Sequence, residues 1–393
     1  MKKHFIIVSI LVIGFLSIAA VPARWVGFDN SVYANESFPP GDIKKEFQVK
    51  SGGRLNLDLE TGASITVEGW DKDLVSIEVQ INGRDEENVE FEFNQSGNDV
   101  TVESYYKEDR RHNTDKIKIF VMMPRKYNVE FSTLGGGVSF SKAEGEFKGT
   151  TMGGSLTLSD LKGNVKMKTM GGSIKVKGCD LDGKVETMGG SIDVDDLVGD
   201  LDLSTMGGSI KQNNVRGRDN ASGKALTIST MGGSIDVDQA MNGAKVKTMG
   251  GSITVNKAAK FVDAETMGGS IEIKEIDGKI KATTMGGDIE ATMVGNPNNG
   301  DREVFMKSMG GDIYLTVPAN LSMDIDIEIA FTKRYDGDVK IESDFKLTEE
   351  ISKEWERSHG SSRKYLTGTA SVNGGKNKIK IRTVNGNVYL KKG

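Results

Sequence analysis

The sequence TMGGSIKV at residues 169–176 decides the fold, because its first six letters recur along the middle of the chain. Successive copies are 18 residues apart, except for two longer intervals of 25 and 24 residues. Copies of Thr-Met-Gly-Gly-Ser followed by Ile or Leu begin at Thr151, Thr169, Thr187, Thr205, Thr230, Thr248 and Thr266, related copies at Thr284 and Ser308, and a degenerate copy at Thr133. A fixed period of this kind is the signature of a repeat architecture.

Each repeat contains two short segments in which apolar and polar residues alternate. After the glycine pair, Ile174 to Lys177 alternate apolar and charged side chains, as a half-buried strand requires. The segment before each Thr alternates in the same way, and no 3.6-residue period appears. Because one such unit cannot bury its apolar face alone, the units must stack. The sequence therefore predicts an all-β fold, a parallel β-solenoid with wider β-rich ends.

Two features of the repeat corner allow more than one interpretation. The glycine pair is expected to form a corner that requires positive φ. The alternation before the corner places Thr inside, whereas the alternation after it favours Met, so the inward residue stays undecided. The Met column suits apolar filling of a core or corner, and thioethers also bind Cu(I). We assign no metal or cofactor to the chain on this evidence.

The chain divides into four predicted parts. Residues 1–34 begin with a basic stretch and continue with 17 uncharged residues, which predicts a secretory signal peptide or an uncleaved anchor. Residues 35–132 are a β-rich N-terminal cap, and residues 133–317 are the regular repeats. Residues 318–393 are C-terminal β-coils and a cap, with a short helix expected around Glu349–Arg357. The mature protein is therefore expected outside the cytoplasm, either secreted, periplasmic or on the cell surface.

These patterns resemble the bacterial "putative adhesin" family of β-strand-repeat proteins, whose function is unknown. The resemblance rests on the repeated Gly-Gly-Ser-Ile strands and on the terminal stretch IKIRTVNGNV at residues 379–388, and it covers nearly the whole mature chain. It implies an exported, elongated β-solenoid, and some relatives accompany envelope-stress membrane proteins. No catalytic residues come with it. This chain departs from the family pattern in the regularity of its Thr-Met-Gly-Gly core.

Histidine and cysteine are scarce, whereas carboxylates are abundant and most simply solvate the turns. The chain has three histidines and one cysteine, and no arrangement of a nucleophile with a base is visible. Its net charge of −5 argues against nucleic acid as the main partner. We therefore expect a non-enzymatic binding or scaffolding rod. A regulatory envelope component with a membrane partner and a polysaccharide-active β-helix enzyme are the alternatives.

Binding residues are expected in the two insertions, because loops escape the packing constraint of the repeat. The insertions lie around residues 216–224 and 296–302. Their cationic side chains, Arg216, Arg218 and Arg302, are the predicted contacts to a glycan, the cell wall or an envelope protein.

Overall fold

The structure is a computed structural model that describes residues 43–82, 88–107, 116–217, 223–358 and 361–393. The described residues form 31 β-strands and a short 3-10 helix at Lys333–Tyr335, and they contain no α-helix. This confirms the predicted all-β class. The predicted signal peptide, residues 1–34, lies outside the described residues.

The N-terminal part contains nine strands, numbered in chain order. They are β1 (Ile43–Gln48), β2 (Arg54–Leu59), β3 (Ser64–Trp70), β4 (Leu74–Asn82), β5 (Val89–Ser96), β6 (Asp99–Tyr106), β7 (Lys116–Pro124), β8 (Asn128–Thr133) and β9 (Val138–Ser141).

The regular repeats follow as shorter strands, three of which run from one coil into the next. They are β10 (Glu144–Thr151), β11 (Leu156–Ser159), β12 (Lys162–Thr169), β13 (Ile174–Thr187), β14 (Ile192–Val198), β15 (Leu201–Thr205), β16 (Ile210–Arg216), β17 (Leu226–Ser229), β18 (Ile235–Ala240), β19 (Ala244–Lys247), β20 (Ile253–Glu265), β21 (Ile271–Thr283), β22 (Ile289–Met293), β23 (Val304–Lys307) and β24 (Ile313–Val317).

The C-terminal part adds seven strands. They are β25 (Met323–Thr332), β26 (Ile341–Ser343), β27 (Thr348–Ile351), β28 (Glu356–Ser358), β29 (Ser361–Val372), β30 (Asn377–Val384) and β31 (Val388–Lys392).

Parallel pairing joins the repeats into two stacks of strands. The leading stack contains the strands that end at the repeat Thr, and the trailing stack contains those that begin at the Ile after the glycine pair. In the leading stack Thr169 of β12 pairs with Thr187 of β13, and in the trailing stack Ile174 of β13 pairs with Ile192 of β14. Both pairs are 18 residues apart, so each repeat is one coil. This confirms the predicted parallel β-solenoid.

The core lies between the two stacks and takes the repeat Thr rather than the Met. Thr169 and Thr187 are 0% and 3% exposed, whereas Met170 and Met188 are 43% and 37% exposed. The Thr169 hydroxyl donates to the carbonyl oxygen of Gly154 in the preceding coil at 2.6 Å, which satisfies its hydrogen-bonding need inside the core. The open question at the corner is thereby decided, with Thr inside and Met outside.

The corner glycines are required for a reason other than the predicted one. The glycines of the Thr-Met-Gly-Gly copies are absent from the positive-φ residues. A Cβ on the second glycine, Gly172, would lie 2.1 Å from the carbonyl oxygen of Gly154 in the preceding coil. The expectation of positive φ is wrong, because the constraint is the close approach of stacked backbones rather than the local backbone angle.

The ends of the stacks differ from the regular coils by antiparallel pairing. At the N-terminal end β4 pairs antiparallel with β7 and β1, and β5 pairs antiparallel with β6. At the C-terminal end β29 pairs antiparallel with β25, β27 and β28. The helix expected around Glu349–Arg357 is wrong, because β27 and β28 occupy that segment. Their pairing to β29 overrides the local preference of a charged stretch. The predicted domain boundaries remain predictions.

Candidate functional site

The first insertion interrupts the regular stacking at the second turn of its coil, opposite the Thr-Met-Gly-Gly corner. Strand β17 after the insertion pairs with β15 only through Leu203 with Ile228 and Ser204 with Ser229. The neighbouring strand β19 pairs with β17 over four residues. Leu226 and Val215, which flank the insertion, are only partly buried against the core. The insertion therefore opens the core at this turn.

A cavity of about 50 Å³ lies at this opening. Its wall includes the backbone of Gly199 and Gly243, together with apolar atoms of Val215 and Leu226. The polar residues in the wall are Asp200, Asp202, Gln212, Arg216, Lys224, Thr227, Gln239 and Asn242. Because an ordered water needs roughly 10–15 Å³ of such space, the cavity accepts one or two small polar groups rather than a whole sugar ring.

Gln212 is the polar residue in this wall that is also buried in the core. It is 2% exposed and takes a position held by Val194 and Val237 in the neighbouring coils. Its side-chain nitrogen donates to the carbonyl oxygen of Gln239 at 3.4 Å, and its Oε1 has no hydrogen-bond partner among the described residues. A buried acceptor without a partner costs about 1–3 kcal/mol. The wall of the cavity thus includes a residue whose buried acceptor has no hydrogen-bond partner among the described residues.

The charged groups around the cavity balance one another. Lys224 pairs with Asp202 at 3.2 Å, and its backbone N–H donates to Asp200. Arg216 is exposed and forms no ion pair with a described residue. Two cations and two carboxylates in the wall give a formal charge of zero. Such a site favours an uncharged ligand that both donates and accepts hydrogen bonds.

The three predicted contacts fall in different places. Arg216 lines the cavity. Arg218 lies outside the described residues. Arg302 is 0% exposed and donates to the carbonyl oxygens of Val294 at 2.8 Å and Asn299 at 3.1 Å, and it also pairs with Asp277. The prediction that Arg302 contacts a ligand is therefore corrected, because its guanidinium is used to hold the second insertion against the preceding coil.

Gln212 was missed by the sequence reasoning, although a signal for it exists. The inward column two residues after the repeat Ile contains Val176, Val194, Gln212, Val237 and Val255. One amide in an otherwise apolar column marks a coil whose core differs from the rest. Gln212 stands out when each inward column is compared for a residue that differs from its neighbours. It does not stand out when only the loops are searched for charged residues.

A second exposed feature lies on the trailing stack near its C-terminal end. The rings of Tyr314 and Tyr389 stack with centroids 4.6 Å apart and planes inclined by 1°. Tyr314 is 38% exposed. The pKa of Tyr314 is raised, first by its partial burial and then by the charge of Asp312. This aromatic pair is an alternative surface for an apolar or glycan ligand.

Other chemistry is sparse within the described residues. No group of three or more His, Cys, Asp or Glu side chains there is arranged to hold a metal ion. Cys179 is buried in the core, and its burial raises the pKa of the thiol, which opposes formation of the reactive thiolate. No helix of the described segments is both long and apolar enough to cross a membrane.

Comparison with known proteins identifies a family over most of the chain. A family model described as Toastrack DUF4097 matches residues 54–238 and again residues 219–391. Among curated proteins, none matches the sequence.

Several solved structures are similar to this chain at low identity and low TM-score. One is a "putative cell adhesion protein" from Clostridium sporogenes, 10% identical over 89% of this chain and 99% of that chain, with a TM-score of 0.20. A "putative adhesin" from Parabacteroides distasonis is 13% identical over 71% and 99%, with a TM-score of 0.35. A "putative lipid binding protein" from the same organism is 17% identical over 70% and 98%, with a TM-score of 0.27. These similarities are too low to indicate a shared function.

Proposed function

Since this chain belongs to the Toastrack DUF4097 family, a family of β-solenoid-like folds, we propose that it is an exported, non-enzymatic binding protein for envelope glycans. The cavity at the first insertion is its ligand site. The observation that carries the proposal is the buried Gln212, which belongs to the wall of the cavity and whose Oε1 has no hydrogen-bond partner among the described residues. A ligand hydroxyl that donates to this oxygen removes the cost of the unpaired acceptor.

A glycan suits the remaining groups of the wall. Sugar hydroxyls both donate and accept, so they match the donors of Arg216 and Asn242 and the acceptors of Asp200 and Gln212. The zero formal charge of the wall favours a neutral sugar over a phosphate or a sulfate. The volume of about 50 Å³ accepts one hydroxyl-bearing arm, while the rest of the sugar lies over the exposed Arg216.

The test compares matched variants of the full chain on isolated cell wall and a panel of neutral glycans. Gln212→Val restores the residue type of the adjacent coils, and Arg216→Ala removes the exposed cation. We expect wild-type protein to show saturable retention that resists salt, and each variant to bind at least tenfold more weakly. Lys211→Ala is the control, because Lys211 lies on the outer face of the same strand.

Three results would overturn the proposal. Retention that is lost on Tyr314→Ala but survives Gln212→Val would move the ligand site to the aromatic pair. Absence of retention on every glycan and wall fraction would favour a membrane-protein partner instead. Turnover of a glycan, detected as released sugar, would favour the enzyme alternative.

A further inference from the structure

Some of the recurrent residues of the repeat corner have a clear role in stacking one coil on the next, and others do not. The Thr hydroxyl bonds to the preceding coil, and the second glycine leaves room for the carbonyl oxygen below it. The Ser hydroxyl accepts the next coil's Ser N–H, as Ser155 does from Ser173 at 3.3 Å. The Met side chain has no comparable role, and the first glycine is less constrained than the second, since an added Cβ would lie 3.1 Å from the nearest atom at Gly250 and 2.2 Å at Gly251. At Gly171, a first glycine, an added Cβ would make an ordinary contact of 3.5 Å.

The Met position is kept in nine successive copies without being buried. The nine side chains are 37–51% exposed. They are Met152, Met170, Met188, Met206, Met231, Met249, Met267, Met285 and Met309. Leu134 takes the same place in the degenerate first copy and is 53% exposed, so the corner accepts an apolar side chain without sulfur. Packing therefore does not explain the methionines.

The inward columns differ in how strictly they keep one residue type. The column two residues before the repeat Thr changes freely from coil to coil. Its members are Met167, Val185, Leu203, Ile228, Val246, Ala264, Ala282 and Met306. The column of the repeat Ile is buried and stays Ile from Ile174 to Ile313, so packing can preserve one residue type. The corner stays Met from Met152 to Met309 although it is exposed, so the constancy there has another cause than burial.

The methionines lie in register along one edge of the solenoid. The N–H of Gly250 donates to the carbonyl oxygen of Met231 at 2.9 Å, and the N–H of Gly268 donates to that of Met249 at 3.0 Å. Backbones bonded in this way are about 4.8 Å apart, so neighbouring thioethers can reach a common point. The Met side chain is flexible and its sulfur is polarizable, which allows it to close on a soft ion.

We propose that this methionine ladder binds Cu(I), each ion being held by thioethers from adjacent coils. Thioether sulfur is a soft ligand that selects Cu(I) over Zn²⁺, Mg²⁺ and Ca²⁺. Binding donates sulfur lone pairs to the ion, so no bond of the side chain breaks and no electron is transferred. A thioether carries no proton to release, unlike a thiol or an imidazolium. Affinity at the ladder is therefore independent of pH between about 5 and 8.

The experiment titrates the full chain with Cu(I), under anaerobic and reducing conditions, against a coloured Cu(I) chelator. We expect wild-type protein to withdraw more than one Cu(I) per chain, equally at pH 5.5 and pH 7.5. The triple variant Met231→Leu, Met249→Leu, Met267→Leu keeps the apolar surface and removes three of the nine thioethers of the ladder. Because four of the eight pairs of adjacent ladder methionines are lost, it should bind about half as much copper.

Two controls separate the ladder from other sulfur atoms. Met167→Leu alters a core methionine that is 2% exposed, and Cys179→Ala removes the buried thiol. Both variants should bind as much copper as the wild type. The proposal is overturned if the triple variant binds as much copper as wild type, if Cys179→Ala abolishes binding, or if Zn²⁺ displaces the copper. Because Gln212 and Arg216 are intact in the triple variant, its glycan retention should be unchanged, whatever its copper binding.

Discussion

The two turns of each coil obey different rules. The Thr-Met-Gly-Gly corner repeats almost without change, because stacked backbones meet there with no room for a Cβ on the second glycine. The opposite turn carries both insertions and a cavity, and a buried polar residue faces that cavity. A repeat protein can therefore keep its register through one turn while the other turn varies. The predictions below test that difference.

The largest effect is expected at the second glycine of the corner. Gly172→Ala would place its Cβ 2.1 Å from the carbonyl oxygen of Gly154, so two coils must separate. We expect a loss of about 3 kcal/mol in the free energy of unfolding, measured by urea denaturation. Gly171→Ala is the matched control, and its ordinary contact should limit the loss to under about 1 kcal/mol. Equal losses in the two variants would mean that the close approach of the backbones does not distinguish the two glycines.

The second-largest loss in the free energy of unfolding is expected at the buried hydroxyl of the repeat Thr. Thr187 donates to the carbonyl oxygen of Gly172 at 2.7 Å and accepts the N–H of Gly190 at 3.2 Å. Thr187→Val leaves both groups without this partner, so we expect a loss of about 2 kcal/mol. Thr187→Ser keeps the hydroxyl, as Ser308 does naturally, and should lose less. If the valine variant were as stable as the serine variant, the hydroxyl would not hold the corner.

At the second turn of the coil, a gain rather than a loss in the free energy of unfolding is expected. Gln212→Val removes an acceptor that has no partner among the described residues and restores an apolar core column. The free energy of unfolding should rise by about 1 kcal/mol. The reverse change in a regular coil, Val194→Gln, should be destabilising. A less stable Gln212→Val variant would show that Gln212 serves the fold rather than a ligand.

The smallest effect is expected at the exposed methionines. Met231→Leu should change the free energy of unfolding by no more than about 0.5 kcal/mol, because the side chain is 45% exposed. Met306→Ala, at a fully buried methionine, should lose about 2–5 kcal/mol. Thermal denaturation of both variants checks the contrast. A large loss at Met231 would mean that the ladder is part of the packing.

Much of this architecture could be predicted from the repeat alone. The 18-residue period and the alternation within it predict in-register parallel coils, and the observed pairing of Thr169 with Thr187 follows. The candidate site was only partly predictable. Arg216 lies where an insertion was expected to bind, whereas Arg302 satisfies buried carbonyl groups that no local pattern reveals.

The sequence by itself determined which residues stack on one another in successive coils, because the 18-residue period assigns each residue to one column. Only the tertiary structure decided which corner side chain faces the core. The alternation before the corner predicts Thr and the alternation after it predicts Met, because the turn between them interrupts the pattern. The tertiary structure also explains why the corner needs glycine, and it leaves Oε1 of Gln212 without a hydrogen-bond partner among the described residues. Those outcomes depend on how closely one coil approaches the next, and that distance arises only when the chain has folded.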